Sequence, residues 1–333
     1  MIRGGSKSFY AASLILPRRV RRPAYALYAF CRLADDAVDL ATARGAPERL
    51  AARLGRLYAG RPHDHPADRA LAEVVAAHRI PAEIPGALLE GLAWDEAGRR
   101  YETLADVEAY SARVAATVGV MMTLLMGERR PEVLARACDL GVAMQLSNIA
   151  RDVGEDARAG RLYLPRGWLR AEGIEPAAFL ADPRHSPALG RVVTRLLAHA
   201  EALYDRAAPG IAALPRDCRP GIGAARILYR EIGRTVAANG CNSVDARAYV
   251  PAGRKAVLLP RAFGPTLLGP LGLSAQNAEA APLAAVRFLI DAVTEADRMA
   301  PLAGEETDRL SRALDIFVAA SLHASTPRRF MGF

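Results

Sequence analysis

A chain of 333 residues that is 51% hydrophobic and 24% charged has the balance of a folded protein with a large core, which excludes intrinsic disorder. Its formal net charge of +8 comes from scattered arginines, with Lys7 and Lys255 as the only lysines. There are no basic blocks or interleaved aromatics of the kind that track a nucleic acid, so no nucleic-acid partner is expected.

The chain opens on a polar stretch, residues 1–8, without the charged, apolar and small-residue regions of a signal peptide. Cys31, Cys138, Cys218 and Cys241 lie far apart and follow neither zinc nor disulfide spacing, which suggests a reducing, cytoplasmic setting. Peripheral contact with the inner membrane surface stays open, because a basic protein also attracts anionic headgroups. Apolar residues recur at helical spacing, as in Leu50, Leu54 and Leu57, in Leu134, Cys138 and Val142, and in Leu196, Ala200 and Leu203. Punctuation at Gly45-Ala46-Pro47, Gly60-Arg61-Pro62, Arg130-Pro131, Leu164-Pro165, Asp182-Pro183 and Leu214-Pro215 divides the chain into roughly ten helical segments. The expected class is all-α.

Residues 25–40, YALYAFCRLADDAVDL, form the first segment with chemistry in it. On a helical wheel Tyr28, Arg32, Asp35 and Asp39 fall within about 60° of one another, and the remaining circumference is apolar. A polar stripe on a helix that is otherwise buried must face a cavity. Further on, His63 and His65 sit in a proline-rich loop without further ligands and read as structural or solvent-exposed. Residues 114–127 are the longest apolar run, 14 residues, too short to span a bilayer. Residues 114–126, VAATVGVMMTLLM, read first as core packing and second as the wall of a substrate pocket.

The second acidic segment, residues 140–156, reads LGVAMQLSNIARDVGED. Gln145, Asn148, Asp152 and Asp156 share a face about 80° wide. In each segment two aspartates stand four residues apart, a rise of about 6 Å, and can straddle a cation. Like charges at that spacing destabilise a helix, so something must offset them. Asp, Asn and Gln oxygens suit magnesium, which binds through one or two carboxylates and substrate phosphates. One such pair is an ordinary solvated face. Two pairs, each on a helix too apolar for exposure, point to a metal-diphosphate site. Residues 259–282 are rich in Pro and Gly and read as a linker or interfacial loop before two amphipathic segments, 283–299 and 305–322.

Several stretches together resemble the squalene and phytoene synthase family. They are SKSF at 6–9, LYAFCRLADDAVD at 27–39, WDEAGRRYET at 94–103, QLSNIARDVGED at 145–156, GRLYLP at 160–165, RILYREIG at 226–233 and residues 247–255. The likeness runs from about residue 6 to 257 and fades from Pro260 onward. It implies a single-domain helical bundle of the isoprenoid synthase type around a central cavity, with the acidic helices facing each other. It further implies a core at residues 1–258, with residues 259–333 as linker and helical segments packed on the same domain.

By the family pattern, Asp35, Asp39, Asn148, Asp152 and Asp156 would bind Mg2+ (or Mn2+), and the four aspartates would be catalytic. Ser8, Tyr28, Arg32, Gln145, Arg151, Tyr229 and Arg247 would hold the prenyl diphosphates. Arg151 lies off the acidic stripe, so its role rests on the resemblance alone. Cys241 and Ser111 depart from residues common in relatives, which implies tuning and no loss of activity.

The activity implied is a prenyltransferase reaction in carotenoid biosynthesis. Two geranylgeranyl diphosphates condense head to head through prephytoene diphosphate to phytoene, and diphosphate is released. No NADPH is expected, and the apolar product suggests peripheral membrane contact. The alternatives are squalene, dehydrosqualene or presqualene diphosphate formation from the C15 farnesyl diphosphate and, in another class, a catalytically silent helical assembly protein. Chain length should follow pocket depth, for which the small Ser13 is a candidate.

Overall fold

A computed structural model describes residues 14–39, 45–262 and 279–299, without the side chains of residues 31–39, 46 and 261. Ser8, Ser13 and residues 305–322 therefore lie outside the described residues, as do the side chains of Arg32, Asp35 and Asp39. Residues Met1–Thr294 form one compact unit, and a second begins at Glu295. The site lies in the first.

Among the described residues every regular element is helical. Helix α1 (Arg18–Asp39) contains residues 25–39 of the first acidic segment and carries Pro23 without breaking. It buries Val20, Ala24, Leu27 and Phe30, and Tyr28 is half-buried. Helices α2 (Ala46–Tyr58), α3 (Pro66–Ala77) and α4 (Glu83–Glu96) follow. Leu50, Leu54 and Leu57 of α2 are buried as their spacing predicts. His63 and His65 are both exposed, and His65 is structural: its Nδ1 accepts the Ala67 N–H and caps α3.

Helix α5 (Leu104–Ser111) starts from a capping box between Thr103 and Asp106. It passes into a π-helical stretch, Ala112–Ala116, and then into α6 (Thr117–Leu125). Helix α7 (Pro131–Arg158) is the long central helix and contains the second acidic segment. Two short helices, α8 (Arg166–Ala171) and α9 (Pro176–Ala181), lead to the long α10 (Pro187–Ala213) and α11 (Arg219–Ala238). Then come α12 (Ala252–Leu258) with a 3-10 turn (Leu259–Ala262), another 3-10 turn (Ala284–Val286) and α13 (Arg287–Met299). The six-residue helices raise the number of elements above the ten that punctuation predicts, because periodicity needs a longer window than they offer.

Helix α7 packs against α10, α11, α6 and the π-helical stretch, and one continuous core surrounds it. A small-residue seam lets α7 approach α6 and the π-helical stretch closely. A Cβ on Gly141 would lie 2.7 Å from Ala116 Cα, and one on Gly119 would lie 2.8 Å from the Ala137 carbonyl oxygen. Backbone therefore meets backbone along this wall.

Candidate active site

The run 114–126 divides into two faces. Val120, Met121, Leu124 and Leu125 are buried in the core, whereas Val114, Ala115, Val118, Gly119, Met122 and Met126 line a cavity of about 230 Å³. Core packing thus accounts for one side of the run, and the other side faces a cavity. Helix α7 supplies the opposite wall, and its cavity-facing residues step at helical spacing through Ala137, Leu140, Gly141, Met144, Gln145 and Asn148. Tyr229 of α11 closes the polar end. The lumen is thus apolar for most of its length and polar where α7 approaches its aspartates.

One turn beyond Asn148, Asp152 accepts the Arg151 Nε–H at 2.7 Å and the Arg247 Nε–H at 2.8 Å. Arg247 also lies 3.4 Å from Glu155. Arg151, which the wheel placed off the acidic stripe, reaches the stripe because a long side chain can fold back along its own helix. The Asn148 side-chain amide donates to Gln145 Oε1 at 3.3 Å. Asp156 is half-buried, and its carboxyl is pushed up to about 7, first by burial and then by the negative charge of Asp152.

The loop that delivers Arg247 is built against α7 at Gly154. The Gly154 N–H donates to the Ser243 carbonyl at 3.0 Å, and a Cβ at this position would stand 2.5 Å from the Val244 oxygen. Arg158 donates to the same Val244 oxygen at 2.6 Å. Asn242 holds the turn with its Oδ1, which accepts the Val244 and Asp245 N–H groups at 3.2 and 3.1 Å. Before it, Gly240 and Cys241 both have positive φ, 67° and 56°. Cys241, the unusual residue here, is buried with its sulfur 3.2 Å from the Thr194 hydroxyl.

Sequence reasoning gave no role to Asp95, although its motif was quoted. Asp95 accepts the hydroxyls of Tyr110 at 2.8 Å and Tyr163 at 2.7 Å, and these two rings stack with centroids 4.9 Å apart. A visible signal existed. Gly98-Arg99-Arg100-Tyr101 after α4 is echoed by Gly160-Arg161-Leu162-Tyr163 after α7. Both glycines have positive φ, 61° and 75°, and end their helices. The two tails lie side by side, with Arg166 N–H donating to the Tyr101 carbonyl at 2.9 Å. Arg99, Arg100, Arg161 and Arg166 line a polar hollow of about 170 Å³ between them.

Asn148, Asp152 and Asp156 offer hard oxygen ligands on one stripe, and the raised Asp156 carboxyl marks negative charge that a divalent cation would offset. The donor set therefore fits magnesium. Among the described residues no group of three His, Cys, Asp or Glu side chains gathers by itself.

Residues 2–254 match the squalene/phytoene synthase family, whose members are divalent-metal-dependent enzymes. The chain is 55% identical over 300 residues to a phytoene synthase of Rhodobacter capsulatus, covering 88% of this chain and 87% of that one. It is 51% identical over 307 residues to a phytoene synthase of Cereibacter sphaeroides, covering 89% and 86%. Among solved structures, a dehydrosqualene synthase in complex with ligand superposes with a TM-score of 0.73 at 33% identity, covering 78% of this chain and 92% of that one. Squalene synthase HpnC from Alicyclobacillus acidocaldarius gives 0.67 at 27% identity, covering 72% and 91%. No described helix is long and apolar enough to cross a membrane. The helical fold, the ordered motifs and these likenesses together make the chain a member of the squalene/phytoene synthase family, a family of prenyltransferases of isoprenoid biosynthesis.

Proposed function

We propose that this enzyme joins two geranylgeranyl diphosphates head to head, through prephytoene diphosphate, to give phytoene and diphosphate. The observation that carries the reading is the apolar lumen that ends at Gln145, Asn148 and Tyr229, one helical turn from Asp152. A long hydrocarbon can lie in the lumen while its charged head reaches the carboxylates and guanidiniums. The two 51–55% identical relatives named phytoene synthase support the same choice.

In this reading Asn148, Asp152 and Asp156, with Asp35 and Asp39 of α1, hold divalent metal, which when bound neutralises the departing diphosphate. Ser8, Tyr28, Arg32, Gln145, Arg151, Tyr229 and Arg247 position the two diphosphates. The Met and Val wall excludes water from the allylic cation, which a wet pocket would quench. The second chain's double bond closes on that cation with loss of a proton. Opening of the cyclopropane after a second ionisation, with loss of another proton, leaves the linear C40 product. We take residues 1–258 as the catalytic core and peripheral contact with the inner membrane surface as the route by which the apolar product leaves.

The likeness to a dehydrosqualene synthase structure favours one second reading, the same chemistry on C15 farnesyl diphosphate. Incubation of the purified protein with Mg2+ and either C20 or C15 diphosphate, with and without NADPH, separates the two. Phytoene from the C20 substrate without NADPH is expected. A C30 product from the C15 substrate, or a requirement for NADPH, would overturn the proposal.

A further inference from the structure

The polar hollow between the tails of α4 and α7 has no part in the chemistry proposed above. Each tail turns back in the same way. Arg99 N–H donates to the Trp94 carbonyl at 3.0 Å and Arg161 N–H to the Asp156 carbonyl at 2.8 Å, each just after a left-handed glycine. One backbone bond thus ties the wall of the hollow to the acidic stripe of α7. Arg99 and Arg100 are exposed, whereas Arg161 and Arg166 are half-buried. The hollow is therefore open to ions from bulk water.

Among the described lining residues, four arginines stand against a single carboxylate, that of Asp95. Both Asp95 oxygens already accept tyrosine hydroxyls. Arg99 stacks on Trp94, its guanidinium 3.5 Å from the ring centroid. The side chains of Arg100 and Arg166 have no ion pair among the described residues. Tyr101, in the same wall, is 2% exposed, and its hydroxyl has no hydrogen-bond partner among the described residues. Like charges gathered in one concavity repel, and a buried donor without an acceptor is costly, so an oxyanion would relieve both. Guanidinium forks match phosphate oxygens in particular. Leu162 and Leu180 are the only aliphatic side chains in the described lining, which leaves a prenyl tail little to lie against.

We propose that this hollow is a metal-independent site for inorganic diphosphate, which it takes up once the diphosphate has left the acidic stripe. The inference rests on the reading that the enzyme releases diphosphate, and it gives that product a place outside the reacting centre. Trp94 lines the hollow and can report on it. Trp168 is the only other tryptophan, so Trp168→Phe leaves Trp94 as the sole emitter, and an anion that draws Arg99 off the ring should change its fluorescence. This protein is titrated with inorganic diphosphate in EDTA, where the stripe carboxylates have no metal and repel anions. Arg100→Gln, Arg166→Gln and Arg247→Ala are tested in the same background, with thermal unfolding as the check on folding.

A saturable change is expected, weakened about tenfold by Arg100→Gln and by Arg166→Gln, the loss of one charge-assisted contact each, and unmoved by Arg247→Ala. Affinity unchanged in both Gln variants, or lost in Arg247→Ala, would place the anion on the stripe and overturn the proposal. Equal affinity for sulfate would mean an adventitious ion only. Geranylgeranyl diphosphate should fail to displace the probe; equal displacement would make the hollow a seat for the substrate's head and also overturn it. During turnover with Mg2+, inhibition by added diphosphate should weaken in the two Gln variants while KM for the prenyl substrate holds, and a KM that rises in step counts against the proposal. A protein that binds the probe in the hollow yet turns over no prenyl diphosphate would defeat the functional reading alone, since the titration needs no turnover.

Discussion

Gly154 sits between Asp152 and Asp156 because the Ser243–Val244 backbone presses on the helix there, and that pressure holds Arg247 over Asp152. Gly154→Ala should therefore act on two readouts. Overpacking against backbone should destabilise the fold by about 1–3 kcal/mol, read as a shift in the urea midpoint. Displacement of Arg247 should lower kcat/KM as well. Arg247→Ala separates the two effects: Asp152 keeps Arg151, so stability should change by less than about 1 kcal/mol. Catalytic efficiency should nevertheless fall about a hundredfold, as when one preorganised donor to developing negative charge is removed.

Asp156 gives a pH signature. Its folded carboxyl titrates at about 7 against an ordinary value of 3.8, because burial and the Asp152 charge both oppose ionisation. Between those values the folded chain binds a proton that the unfolded chain has released, so unfolding free energy falls as pH rises. Above pH 7 the penalty is complete. In metal-free protein, the urea midpoint should decline across this window, and Asp156→Asn should flatten the decline; an unchanged slope in the variant would contradict the assignment.

At the scale of elements, the two acidic helices were legible because a period of 3.6 places four polar groups on one face of each, and α1 contains residues 25–39 and α7 residues 140–156. The division of residues 114–126 into a core face and a lumen face was legible only as alternatives, since both faces are equally apolar. The π-helical turn at Ala112–Ala116 carries no composition signal, as a wider turn is set by what packs against it. Gly141 approaches Ala116 along this turn. Gly141→Val should push α7 away from it and destabilise the protein by roughly 1–3 kcal/mol, with activity falling in step, as measured by denaturation and turnover.

At the scale of the whole molecule, the all-helical class and the core followed from hydrophobic periodicity. The contacts that finish the site did not. Arg136 meets Ala280 across 144 residues, and Arg247 meets Asp152 across 95. Such pairings depend on the packed fold, and no local pattern announces them. The continuous core that surrounds α7 is built from apolar side chains, which offer a hard cation no ligands. Chelation should accordingly abolish turnover while far-UV circular dichroism stays unchanged, and Mg2+ should restore activity without a refolding lag.

The paired guanidiniums on Asp152 carry one more implication. Before any substrate arrives, this carboxylate already has two cationic partners, and Arg247 is one that an incoming anion would also seek. A diphosphate that recruits Arg247 must draw it off the carboxylate, freeing oxygens at the moment a countercharge is needed. Affinity for anion and for cation should then rise together, each ligand tightening the grip on the other by the same factor.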